Sequence, residues 1–321
     1  MTAPPARAPR GGLVRVVVGF IAFSLVAPVG LVALPLATLV AASRPRTGRS
    51  LLIGLAAAVA AVWWLVLPGE FPGQIVRAAA VIATAVFAVS TVMTRWSAVH
   101  RALLAAAVAA GGLGTGFLVF GWSWDRLHWW VAYRTAATLR LQLGALWRGA
   151  RENVAFAPSA ALLRQMESAY ASIVSGMADL FPATVALELL AGFVLAVAIH
   201  HRIARHPVGT PLGWFPQFRF SEHIGWAAAL PLAALMIVKI SWVRLLGANL
   251  LVVVATLYVV RGLAVAAFGL RLLRTRLLLY AVLTVALFFM LPVALGSALV
   301  LGVLDAGLDL RGRWAASPSD P

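Results

Sequence analysis

The sequence contains no cysteine, so disulfides, thiolate metal sites and cysteine nucleophiles are excluded. Charge is scarce: charged residues make up 11% of the chain, against about 25% in an average soluble domain. Acidic residues are scarcest, with 10 Asp and Glu facing 26 Lys and Arg. No Walker loop, HExxH pair or Ser/His/Asp order is present, and Gly111 to Gly116 lack the strand context that a phosphate loop needs. The familiar catalytic constellations are therefore missing.

What is present is apolar: 62% of the 321 residues are hydrophobic and the mean hydropathy is +0.95. Eight long apolar stretches run from Leu13 to Ala42, Leu51 to Leu67, Ile75 to Val92, Ala102 to Trp122, Ala183 to Ile199, Ile224 to Ile240, Leu245 to Leu270 and Leu277 to Leu304. Crossing a hydrocarbon core of about 30 Å takes roughly 20 helical residues, which most of these supply. The expected fold class is all-α, a polytopic transmembrane helix bundle of about eight spans. Arg7 and Arg10 before an apolar run imitate a signal peptide, but the run is far longer than an h-region of about 7 to 15 residues, so an uncleaved first span is expected.

The net charge of +16 is concentrated in loops. Arg44, Arg46 and Arg49 mark one loop, Arg95 and Arg101 another, Arg202 and Arg205 a third, and Arg271, Arg274 and Arg276 a fourth. These alternate along the chain, which under the positive-inside rule places them in the cytoplasm. Pro68 to Gln74 and Ser241 to Arg244 would then face outside, while Arg7, Arg10 and Arg15 break the pattern. Either Leu13 to Ala42 is one tilted span or it is a hairpin broken at Pro28, Gly30 and Pro35; Pro292 and Gly296 raise the same question for the last stretch. Such charge fits anionic headgroups, and no nucleic-acid partner is expected.

The centre differs. Arg126, Arg134, Arg140, Arg148 and Arg151 share an arc on one helical face, opposite Val131, Leu139, Leu143 and Leu146, with Trp129, Trp130, Tyr133 and Trp147 flanking the stripe. This pattern predicts a helix in the headgroup plane, with Arg126, Trp129, Trp130, Arg134, Arg140, Trp147 and Arg148 at the membrane interface. A second amphipathic helix from Ser159 to Leu180, with Leu163, Met166, Tyr170, Ile173, Met177 and Leu180 along one side, is expected to pack back on it or on the bundle. The layout is thus an N-terminal transmembrane bundle (1–122), amphipathic interfacial helices (123–181), a C-terminal transmembrane bundle (182–313) and a disordered tail (314–321).

Polar residues inside spans normally face the bundle interior and find partners. Glu188 and Arg261 are the expected ion pair, and Asn249 and Tyr258 share the Arg261 span. His200, His201 and His206 cluster at a helix end, but His200 and His201 point to different faces, so no metal site is expected. Asp305, Asp309 and Arg313 are spaced four apart, as on one helical face, and read as the exit of the last helix. Gly112 with Gly116, and Ala57 with Ala61, are small-xxx-small steps suited to close helix approach.

The runs Pro216-Gln-Phe-Arg-Phe220, Asn249-Leu-Leu, Leu257-Tyr258 with Gly262-Leu-Ala-Val265, and Leu301-Gly-Val-Leu-Asp305 with Asp309-Leu-Arg311 resemble the YybS-like family of bacterial multispanning membrane proteins over about residues 181–313. The resemblance implies a multi-pass protein of the bacterial inner membrane, distantly similar to the substrate-binding subunits of energy-coupling-factor transporters. Arg261 departs from that family, which often has a neutral polar residue there. Three functional classes follow. The expected function is a transport-related component that binds a small solute among Glu188, Asn249, Tyr258 and Arg261, with the scaffold as the alternative. A non-catalytic scaffold would organise lipid or partner subunits and have a dry interior. An intramembrane enzyme would need a second carboxylate or a histidine near Glu188, which the sequence does not supply, so no enzymatic activity and no cofactor is expected.

Overall fold

The computed structural model describes residues 12–45, 47–152, 160–220, 223–272 and 290–316. Arg7, Arg10, Arg46, the loop 153–158, Arg274, Arg276, the apolar residues 277–289 and the end of the expected tail, 317–321, lie outside the described residues, as do the side chains of Arg15, Leu143, Leu146, Trp147, Arg148, Arg151 and Leu163. All regular structure among the described residues is helical, and the chain divides into two compact units, Met1–Leu212 and Gly213–Pro321. Among the described residues, six helices are long and apolar enough to cross a membrane. The protein is a multi-pass membrane protein of the all-α class.

The first unit comprises α1 (Gly12–Val26), α2 (Gly30–Ala42), α3 (Gly48–Val66), α4 (Phe71–Met93), α5 (Ala98–Val119), α6 (Trp124–Glu152), α7 (Ala160–Asp179) and α8 (Phe181–Ile203). The long first apolar stretch does not cross as one helix. It breaks around Pro28, which has no N–H to continue the ladder, and both halves pack against α8. At 15 and 13 residues, α1 and α2 are each shorter than a span. The starts of other helices follow local chemistry. Thr47 Oγ1 accepts from the Ser50 N–H at 3.3 Å, Ser97 Oγ accepts from the His100 N–H at 3.3 Å, and α4 and α8 carry proline in their first turn.

Large and small apolar residues are sorted by lipid exposure. On α5, Ala98, Ala102, Ala105 and Ala109 are buried while Leu104, Val108, Leu118 and Val119 are exposed; on α4, Ala79, Ala80 and Ala83 are buried while Val81, Val89, Val92 and Met93 face outward. Lipid tails are as apolar as leucine, so burying leucine gains little there, whereas small residues let helices approach and pack. Ala57 and Ala61 of α3 are buried as their spacing predicts, and α3 packs on α2. Phe87 of α4 and Phe193 of α8 stack at the centre, with ring centroids 4.4 Å apart.

Helices form over both amphipathic stretches, but Met166, Ile173 and Met177 on the expected packing side of α7 are exposed. Helices α6 and α7 pack together, with the Tyr170 hydroxyl donating to the Ala136 carbonyl at 2.7 Å and His128 Nε2 lying 3.2 Å from the Asp179 carboxylate. Arg126, Trp129, Arg134 and Arg140 are exposed, Trp130 is half-buried, and Leu127 is buried. Two of these arginines also dock the helix on the bundle: Arg134 Nε pairs with Glu70 at 3.0 Å, and the Arg126 guanidinium lies 5.4 Å from the Phe71 ring centroid.

The second unit holds a 3-10 turn (Phe215–Gln217), α9 (His223–Ile237), α10 (Ser241–Leu272), α11 (Leu291–Leu308) and α12 (Leu310–Ala316). The expected span from Ile224 to Ile240 is shorter than predicted: α9 has 15 residues, a rise of about 22 Å. Pro292 lies in the first turn of α11, where its missing N–H breaks no intrahelical bond. Residues 314–316, expected in the tail, are helical as the end of α12.

Candidate functional site

Helices α10 and α11 touch backbone to backbone. A Cβ placed on Gly262 would overlap the Ala298 carbonyl oxygen, and one on Gly302 would overlap the Tyr258 carbonyl oxygen. Hydropathy alone does not reveal this contact, because glycine pairs on separate helices have no sequence spacing to read. The close approach brings Arg261, on α10, against Asp305, on α11.

Arg261 therefore takes a partner other than Glu188. Its Nε donates to Asp305 Oδ2 at 2.8 Å and its Nη2 donates to the Asp305 backbone carbonyl at 3.0 Å. Arg311 of α12 completes a clamp, with Nε at 3.2 Å from Asp305 Oδ1 and Nη2 at 2.7 Å from Oδ2. The remaining Arg311 nitrogen, Nη1, donates to the Pro216 and Phe218 carbonyls at 2.8 and 3.0 Å, which ties the 3-10 turn to the clamp. Phe220 lies under the Arg261 guanidinium, 5.3 Å from ring centroid to Cζ, and meets Tyr258 edge to face at 5.1 Å. Asp305 is 1% exposed and both arginines 4%. Desolvated charges of this kind persist only when their hydrogen-bonding groups are satisfied, and here both carboxylate oxygens and all three Arg311 nitrogens are.

The expected helical face of Asp305, Asp309 and Arg313 is corrected. Asp309 adopts a left-handed conformation with φ 45° and ends α11, so the four-residue spacing does not continue as one helix. Its carboxylate accepts from Arg219 Nη2 at 2.6 Å. Arg311, not Arg313, reaches Asp305.

The other predicted polar residues separate. Asn249 is buried and its Nδ2 donates to the Leu245 carbonyl one turn earlier at 2.9 Å. Tyr258 is held by Phe220. Glu188 belongs to the first unit, lies half-buried on α8, and has no hydrogen bond or ion pair among the described residues. Asn249, Tyr258 and Arg261 thus share a unit, and Asp305 and Arg311 were not selected by sequence reasoning.

The first unit has a different polar interior. Its three arginine-marked loops meet at one end. Thr210 Oγ1 donates to the Trp96 carbonyl at 3.0 Å, joining the third loop to the second. Ser43, Arg44, Pro45, Ala204, Arg205 and His206 line a pocket of about 10 Å³, room for roughly one water. Beneath these loops Arg101 is 0% exposed, with its guanidinium 5.9 Å from the Phe87 ring centroid. His200 is equally buried and its Nε2 accepts from the Val208 N–H at 3.2 Å. Arg202, as expected for a base in a last turn, donates to the Ala198 carbonyl at 2.8 Å. Comparison with protein-family profiles, curated proteins and solved structures finds no match to this chain.

Proposed function

We propose that this chain is a non-catalytic scaffold or assembly protein of a bacterial inner membrane, belonging with the YybS-like family, and that it organises lipid or partner subunits. The carrying observation is the use made of polar groups in the second unit. Arg261 is consumed by Asp305, Asn249 bonds its own helix and Tyr258 packs on Phe220. A solute site would need polar groups aimed at a cavity. Helix α6 adds the surface such a role needs: exposed Arg140, Trp129 and Tyr133 beside a docked apolar face. The family assignment rests on the sequence runs between residues 216 and 311, from which Arg261 departs, and the inner-membrane location rests on that resemblance together with the arginine-marked loops.

A second reading, a transport component binding a small solute, is favoured by one observation. Glu188 sits midway along a candidate span and is without a partner among the described residues, a placement that membrane proteins generally reserve for function. Native mass spectrometry of the protein purified in mild detergent separates the two. The scaffold reading expects lipid adducts alone and an unchanged spectrum for Glu188→Gln. A stoichiometric small solute that disappears in that variant would replace the scaffold with a solute-binding protein.

A further inference from the structure

The arginine-marked end of the first unit contains donors without acceptors. Arg101 Nη2 donates to Thr210 Oγ1 at 3.0 Å and Nη1 approaches the Thr91 carbonyl at 3.5 Å, but the fully buried Nε has no acceptor. Since His200 Nε2 accepts from Val208, the neutral imidazole carries its proton on Nδ1, and that buried donor also has no acceptor. His201 Nε2 is a third buried atom without a partner. The same short segment, Val208 to Thr210, lies on both side chains, binding His200 through one end and Arg101 through the other.

The three loops at this end supply no counter-charge. Residues 43–50, 94–101 and 202–212 contain no Asp or Glu, and Arg44, Arg49, Arg95, Arg202 and Arg205 add positive charge around the same end. Arg101 also occupies the first turn of α5, where the helix dipole disfavours a cation and favours an anion. A buried guanidinium normally has a carboxylate, as Arg261 does.

We propose that Arg101 and His200 form a binding site for a phosphate-type oxyanion, closed in this structure by the Val208–Thr210 segment. The Nε and Nη2 edge of arginine is the fork that matches two oxygens of a phosphate. Thr210 Oγ1 occupies the Nη2 corner, and an oxyanion entering the fork would take both corners. Entry requires the segment to lift. Gly209 is suited to lying so close: it has φ +82°, and a Cβ there would come within 2.8 Å of Arg101 Nη1. Free phosphate and a phospholipid headgroup offer the same chemistry, and a site under loops at a span end is open to either. The proposal concerns the first unit alone and stands independently of the scaffold reading.

The test uses the full chain in two preparations. Delipidated protein in non-ionic detergent is titrated with inorganic phosphate against sodium chloride at matched ionic strength, following thermal unfolding by tryptophan fluorescence. Nanodiscs of phosphatidylglycerol or phosphatidylcholine are compared for retained lipid by native mass spectrometry. The expected result is a saturable rise in Tm with phosphate, or retention of one phosphatidylglycerol but no phosphatidylcholine; the first identifies free phosphate and the second a headgroup. Arg101→Gln should abolish the response. Arg101→Lys keeps the charge but removes the Nε–H donor, so it tests the site even where the glutamine variant fails to fold; it should weaken binding about tenfold, the loss of one charge-assisted hydrogen bond. Absence of both responses in the native protein, or an unaltered response in Arg101→Lys, overturns the proposal.

Discussion

Arg101 and Arg261 are two buried arginines on spans, each over a phenylalanine ring, and their surroundings differ in one respect. Arg261 shares Asp305 with Arg311, while Arg101 rests on a threonine hydroxyl and a carbonyl. The second unit thus carries its counter-charge within the chain, and its charges serve to fasten α10, α11, α12 and the 3-10 turn together. The first unit concentrates positive charge at one end with no acid to meet it. Charge that is balanced internally acts as structure; charge left unbalanced is available to something outside the chain.

The largest effect should come from removing the shared acid. Asp305→Asn leaves two buried guanidinium groups without a carboxylate, and breaking a buried pair costs about 3 to 5 kcal/mol, so unfolding in detergent should shift strongly downward. A variant as stable as the native protein would mean that the clamp is not structural. Next, Gly302→Val should separate α10 from α11 by forcing a side chain into the Tyr258 carbonyl. Overpacking typically costs about 1 to 3 kcal/mol, and here the clamp is lost with the helix contact.

Arg101→Leu tests the other side of the comparison. Without an internal carboxylate to orphan, its removal in anion-free, delipidated protein should change stability by less than about 1 kcal/mol or raise it, whereas Arg261→Leu should destabilise by several kcal/mol, because Asp305 loses a partner. Equal losses in both would erase the distinction between the units. The smallest effect belongs to the half-exposed pair of Arg134 and Glu70, for which a double-mutant cycle should give a coupling of about 0.2 to 1 kcal/mol that shrinks with added salt.

Helix existence is legible because the hydropathy of a 20-residue window is a local property: five expected spans appear among the described residues, and a sixth helix, α11, covers the second half of the stretch Leu277 to Leu304. The amphipathic pair was legible for a similar reason, since a stripe of arginines at helical spacing needs no tertiary information. The partner of Arg261 was not. Glu188 was the only carboxylate well inside a predicted span, and sequence offers no measure of which helices meet. Asp305 was set aside because its spacing to Asp309 and Arg313 imitates a continuous helical face, an inference that fails once Asp309 turns left-handed and ends the helix. Arg101 was read as a loop marker, since positive-inside statistics count arginines without regard to burial.

By itself the sequence determined that this chain lives in a membrane, that its regular structure is helical, and where positive charge collects, because composition and periodicity act over one or two turns. Only the tertiary structure decided which charges are neutralised. Pairing depends on distances of about 3 Å between atoms 44 residues apart, as for Arg261 and Asp305, and those distances are fixed by two glycines that let one helix lie against another.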